Sequence, residues 1–174
     1  MKLLTAAIAI AAMTGAAHAE VIDSQANGFT VRQSLAIAAP ADKVWAALSA
    51  PGAWWDMAHS YSHDRAAMSL DLRPGGLWLE KLPGGGVVHM TVLYLQPTRV
   101  LRLDGALGPL QALGVTGRLT FALTEANGAT TLVNTYDVGG HASGGLDKLA
   151  APVDGVLNAQ MRRLKAYIET GKPE

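Results

Sequence analysis

The sequence predicts an α+β domain in which a curved antiparallel sheet wraps around one long C-terminal helix. Three observations carry that expectation. Strand-like segments follow one another from Ala67 to Val138, separated by turn signals spaced too closely for helices. Asn127-Gly128 joins two of them, and that dipeptide suits a two-residue hairpin. Gly144 to Thr170 then repeats apolar residues every three to four positions, with Arg162, Arg163, Lys165 and Glu169 on other faces. A large sheet with one apolar helix closes most simply around that helix, and a cavity is left wherever the two surfaces diverge.

The N-terminus precedes this domain. Lys2, the apolar run Leu3 to Met13, and Ala17-His18-Ala19 form the charged, apolar and small-x-small parts of a cleavable signal peptide. Cleavage after Ala19 is expected, with residues 20–28 a polar lead-in and 29–170 a single domain. Of 174 residues, 155 would remain, enough for one core. Loss of Lys2 turns 14 basic against 14 acidic residues into 13 against 14. So balanced a chain offers no electrostatic attraction to nucleic acid, and no stable membrane insertion is expected once the leader is gone. The absence of cysteine excludes disulfides and thiol chemistry and is compatible with an oxidising compartment. The expected location is a bacterial periplasm.

Along the chain, Phe29–Ile37 reads as a strand and Pro40–Ala50 as a helix, with Pro in its first turn and Asp42 near its positive end. Pro51-Gly52 ends that helix, and a short turn follows with Trp54 and Trp55. Pro74-Gly75-Gly76 fits a type II turn between two strands. The glycine-rich stretch 105–117 reads as a loop with one helical turn. Pro152 is expected to kink or divide the last helix.

Register says which side chains face the interior. A two-residue turn at Asn127-Gly128 pairs Ala126 with Ala129, Leu123 with Leu132, Phe121 with Asn134 and Leu119 with Tyr136. Paired residues share a face, so Asn134 and Tyr136 point inward with the leucines. They would bond each other or the long helix, or else serve a ligand. In Val87–Leu95, strict alternation puts Met90 and Tyr94 inside and His89 outside. Trp78, Asp71 and Glu80 share a face whose direction alternation leaves open.

The segment Gly52–Asp64 (GAWWDMAHSYSHD) concentrates the side chains with chemistry. His59 and His63 are four apart, a zinc-compatible spacing on a helix, with Asp56 or Asp64 as a further ligand. Gly, Ser and Asp argue against a continuous helix there, and a third ligand is missing, so no metal and no cofactor is expected. The favoured reading is a pocket rim made by Trp54 or Trp55 with His59 and Tyr61. The candidate ligand-binding residues are therefore Trp54, Trp55, His59, Tyr61, Met90, Tyr94, Asn134, Tyr136 and Met161. No catalytic residue is assigned.

Three segments, PADKVWAALSAPGAWW, LDLRPGGLWLE and the helix after TTLVNTYDVGG, resemble the START-like (SRPBCC) superfamily, in particular its polyketide-cyclase-like and Hsp90-ATPase-activator-like members. The resemblance spans roughly residues 29–170. It implies a helix-grip fold with a deep apolar cavity beneath the C-terminal helix, and a small apolar or aromatic ligand. It supplies no catalytic motif common to the superfamily. A cleaved leader departs from the co-chaperone role, since a periplasm holds no ATP-dependent Hsp90. The favoured function is a periplasmic binding or carrier protein. One alternative is a cyclase, dehydratase or lyase using His59, Tyr61 or Tyr136; another is a protein-interaction accessory module.

Overall fold

The computed structural model describes residues 18–174; the expected leader, apart from its last two residues, lies outside the described residues. Eight strands form one antiparallel sheet: β1 (His18–Gln25), β2 (Gly28–Ile37), β3 (Met68–Leu70), β4 (Leu77–Leu82), β5 (Gly85–Gln96), β6 (Val100–Gly105), β7 (Gly114–Ala126) and β8 (Ala129–His141). Their order across the sheet is β1-β2-β8-β7-β6-β5-β4-β3. The early strand β2 thus closes against the last strand, while α1 (Ala41–Leu48) and α2 (Pro51–Trp54) bridge the gap in sequence. The final helix, α3 (Asp147–Thr170), lies across the sheet. The architecture is the expected sheet and gripped helix.

Local chemistry accounts for most of the elements. Asn127 and Gly128 adopt φ of 54° and 74°, which only turn-permissive residues take readily, and β7 pairs with β8 in the expected register. Gly75 (φ 77°) completes the turn after Pro74, closed by Gly76 N–H donating to Arg73 O at 2.8 Å. In α1, Ala41, Val44, Ala47 and Leu48 are buried as one face. The glycine-rich stretch carries one 3-10 turn, Gly108–Ala112.

Three expectations are corrected. The polar lead-in is largely strand: β1 pairs with β2 through the tight turn at Ala26-Asn27. Its polar composition hid it because it is an edge strand, with Val21 and Ile22 exposed. Pro152 does not divide α3, which runs unbroken through it. It sits close to the N-terminus, where the carbonyl it leaves free, at Lys148, is on an exposed residue. The alternation of β5 also fails. Trp78 pairs with Met90 and Leu79 with Val88, which skips His89; Val92 pairs with Leu103 and Tyr94 with Arg102, which skips Leu93. Each extra residue is a β-bulge that shifts the facing pattern by one. His89 is therefore buried and Tyr94 exposed, the reverse of the expected arrangement.

The core lies between the concave sheet face and the helices. Leu35, Leu103, Leu119 and Leu132 on the sheet and Leu157, Met161 and Leu164 on α3 are all buried. Gly117 admits Tyr136 into this layer, because a Cβ there would sit 2.5 Å from Tyr136 Cε2 and 2.9 Å from Asp137 O. Gly117→Ala is expected to cost about 1–3 kcal/mol through overpacking. Gly114→Ala, whose nearest neighbour would be 3.6 Å away, should stay within about 0.5 kcal/mol of wild type when the two variants are compared by urea titration.

Candidate functional site

The aromatic segment is built by caps and by α3. Asp56 accepts Ala58 N–H and opens the 3-10 turn Met57–His59; Asp64 accepts Ala66 N–H and opens a second turn, Arg65–Ala67. Both aspartates thus act as helix caps. The Asp56 N–H donates to Gln160 Oε1 at 2.8 Å, which fastens the segment to α3. Trp54 is buried, its Nε1–H donating to Ala47 O at 2.8 Å. Trp55 Nε1–H donates to His59 O at 3.1 Å, and the Trp55 ring meets Trp78 edge-on at 5.0 Å. His63 turns back at φ 56° with Nδ1 2.8 Å from Met57 O. The first 3-10 turn ends at His59, so the two histidines do not share a helix face. Among the described residues no three His, Asp or Glu side chains gather to hold a metal.

A pocket of about 480 Å³ opens beside this segment. One wall is Trp55, His59, Ser60 and Tyr61; another is Leu107, Gly108, Pro109 and Leu110; the third is the N-terminal half of α3, with Leu149, Val153 and Leu157. The lining is apolar except at the His59–Tyr61 rim. A second hollow, of about 460 Å³, lies over the glycines at the β1–β2–β8–β7 end of the sheet. Its rim of Asp23, Gln25, Arg118 and Asp137 lacks the apolar enclosure of the first.

Of the expected site residues, the fold brings Trp55, His59 and Tyr61 together on the pocket wall. Trp54, Met90, Met161, Asn134 and Tyr136 are buried in the core and do not line it. The deep space beneath α3 is thus filled with side chains, and the pocket sits at its entrance. Tyr94 stands on the outer face with Arg102 5.9 Å from its ring centre. Asn134 donates to Gln33 Oε1 at 2.8 Å, and Gln33 donates to Asp154 of α3 at 2.6 Å. Tyr136 accepts Leu107 N–H at 3.1 Å and donates to Gly105 O at 3.2 Å. Its hydroxyl therefore fixes the Leu107 wall. Burial pushes the Tyr136 phenol up to about 12, against the opposing pull of the Leu107 hydrogen bond, so it stays protonated.

The sequence reading missed a buried pair beside the pocket. Glu80 and His89 are buried, with His89 Nε2 2.8 Å from Glu80 Oε2. The other Glu80 oxygen accepts Ser62 N–H, which pins the loop carrying Tyr61. Burial pushes the Glu80 carboxyl up, but hydrogen bonds from Ser62, the Tyr61 backbone and His89 outweigh it and hold the pKa at about 2. Burial keeps the His89 imidazole below its ordinary 6.5, partly offset by Glu80. The His89 ring lies 5.9 Å from Tyr61 and 5.6 Å from Trp78. One signal for Glu80 was available: it is two residues from Trp78 on the same strand face, and a tryptophan that large belongs inside. Nothing in a strand apolar on both faces betrays the bulge that turns His89 inward.

Both groups make the protein acid-sensitive. Glu80 has a folded pKa depressed to about 2, so its contribution is complete above about 4.5 and is lost as pH falls toward 2. His89 acts in the same direction: unfolded imidazole takes a proton below 6.5 that the buried ring resists. Urea titrations should show stability falling from pH 7 to pH 3. Glu80→Gln should be less stable at pH 7 and flatter between pH 4.5 and 2.

Comparison with known proteins fits this geometry. No curated protein sequence matches the chain. Among solved structures, CalU16 from Micromonospora echinospora superposes with a TM-score of 0.60 at 17% identity, covering 92% of this chain and 88% of its own. The Aha1 dimer protein from Colwellia psychrerythraea gives 0.56 at 18%, covering 82% and 98%. Truncated norcoclaurine synthase from Thalictrum flavum gives 0.56 at 16%, covering 85% and 97%. At these identities the likeness is one of fold, the helix grip. The family model described as "Polyketide cyclase / dehydrase and lipid transport" matches residues 28–169. With nearly the whole described domain inside that match, the chain belongs to this polyketide cyclase / dehydrase and lipid transport family of START-like (SRPBCC) proteins.

Proposed function

We propose that this protein binds or carries a small apolar or aromatic molecule in the pocket between Trp55–Tyr61, Leu107–Leu110 and the first half of α3, as an exported protein of a bacterial periplasm. The observation that carries the reading is the pocket itself: about 480 Å³, apolar on three walls, with polar groups only at its rim. That size and lining suit a compact, ring-containing ligand held by burial and oriented by a few polar contacts. The leader pattern and the absence of cysteine support export.

The alternative is an enzyme of the cyclase, dehydratase or lyase type, which the carboxylate–imidazole pair beside the pocket favours. Tyr136 is not its acid or base, since both of its hydrogen-bond roles are spent on Gly105 and Leu107.

Native mass spectrometry of protein purified from its own periplasm should show a retained small-molecule mass. Trp55→Ala, which opens one wall, should reduce retention about tenfold or more. Val153→Trp, which fills the pocket from α3, should abolish retention while leaving the helical circular dichroism unchanged. A retained mass that is chemically altered during incubation would favour the enzyme. A wild-type protein with no retained mass, and no melting shift across a library of apolar ring compounds, would contradict the binding reading.

A further inference from the structure

The pocket lining limits what charge a ligand can carry. It contains no Lys, Arg, Asp or Glu, and its only ionisable groups are the His59 imidazole and the Tyr61 phenol. Most of the donors along its walls are already committed. Ala58 and His59 N–H go to Asp56, Ser60 N–H to Met57 O, and the Tyr61 backbone to Glu80. Leu107 N–H goes to Tyr136 and Leu110 N–H to Leu107 O. Pro109 and Pro152 have no N–H, and the rest of the α3 wall keeps its donors within the helix. Side chains follow the same pattern: Trp55 Nε1–H goes to His59 O and the Ser60 hydroxyl to Met57 O. At the Tyr61 end the balance is reversed. Gly108 O and Gln111 Oε1 both lie 3.2 Å from the Tyr61 hydroxyl, which has one proton to give. Gln111 Nε2 donates to Val88 O at 3.1 Å, so its amide oxygen is the end held toward Tyr61. Acceptors thus outnumber donors there.

Resting on the pocket reading above, we propose that the pocket rejects anions and takes uncharged ring compounds whose polar end donates a hydrogen bond at Tyr61, Gly108 and Gln111. A carboxylate or phosphate that enters exchanges water for apolar walls and carbonyl oxygens. Burying such a charge without a partner weakens binding by about a hundredfold or more. His59 does not compensate: its ring is exposed, and an ion pair in water contributes about fivefold at most. A neutral N–H or O–H carries no such penalty, and it finds a carbonyl oxygen that the Tyr61 proton leaves unserved. Free fatty acids and phosphorylated lipids are therefore excluded as cargo, whereas neutral phenols, alcohols and amides are admitted.

The test is isothermal titration of the protein at pH 7 with naphthalene-2-carboxamide, methyl naphthalene-2-carboxylate and naphthalene-2-carboxylate, which share one ring system and nearly one shape. The amide is neutral and donates, the ester is neutral and only accepts, and the carboxylate is charged and only accepts. The amide should bind at least about tenfold tighter than the carboxylate and about fivefold tighter than the ester. In Gln111→Leu, which removes one of the two acceptors, the advantage of amide over ester should fall to about twofold or less while the carboxylate stays weakest. Ester affinity reports whether the pocket survives that substitution, and the wild-type ranking needs no substitution. A carboxylate that binds wild type within about tenfold of the amide would overturn anion rejection and leave the pocket reading standing. An ester as tight as the amide, or an amide advantage undiminished in folded Gln111→Leu, would overturn the donor preference at Tyr61. Failure of all three compounds to bind would count against the pocket reading, and this selectivity would fall with it.

Discussion

Much of what surrounds the pocket depends on one buried carboxylate. Glu80 is fully removed from solvent, and a lone charge there would cost several kcal/mol. It is tolerated because the Tyr61–Ser62 backbone and the His89 imidazole supply its hydrogen bonds. The constraint runs in both directions. Satisfying Glu80 fixes the loop that presents Tyr61 to the pocket, and it fixes which nitrogen of His89 carries the proton. The second consequence arises from a bulge that places His89 and Met90 together on the buried face of β5.

The rest of the pocket follows from where α3 leaves the sheet. The helix is seated in the core by Leu157, Met161 and Leu164, whereas Leu149 and Val153, nearer its N-terminus, are only half-buried and face the opening. Interior volume that an apolar cavity would need is occupied by Met90, Met161 and Tyr136. Tyr136 then acts from outside the pocket: packed over Gly117, it reaches the Gly105–Leu107 backbone and holds the opposite wall. The fold has thereby moved its available space from beneath the helix to the entrance between two loops.

The fold was legible in the sequence because it rests on local, strongly signalled features: the Asn127-Gly128 hairpin, the Pro74-Gly75 turn and the apolar stripe of α3. The facing of Asn134 and Tyr136 followed from that hairpin's register. Legibility failed where a local rule is overridden by contacts distant in sequence. β1 is polar because it is an edge, and its pairing is visible only once β2 is placed. The bulges at His89 and Leu93 insert single residues into a strand whose two faces are both apolar, so alternation carried no warning. Within the site, Trp55, His59 and Tyr61 could be read from one dense segment. The opposite walls, Leu107–Leu110 and the first turns of α3, could not, because ordinary leucines and valines become a pocket only through three-dimensional placement.

The central claim is that ligand occupies the entrance pocket and not the space beneath α3. Methyl chemical shifts of Leu- and Val-labelled protein, titrated with naphthalen-2-ol, test it most directly. The account predicts shifts concentrated at Leu107, Leu110, Leu149, Val153 and Leu157, with Leu103, Leu119 and Leu132 of the sheet unmoved. Shifts centred on Leu103, Leu119 and Leu132 would contradict it and return the ligand to a deep cavity beneath the helix.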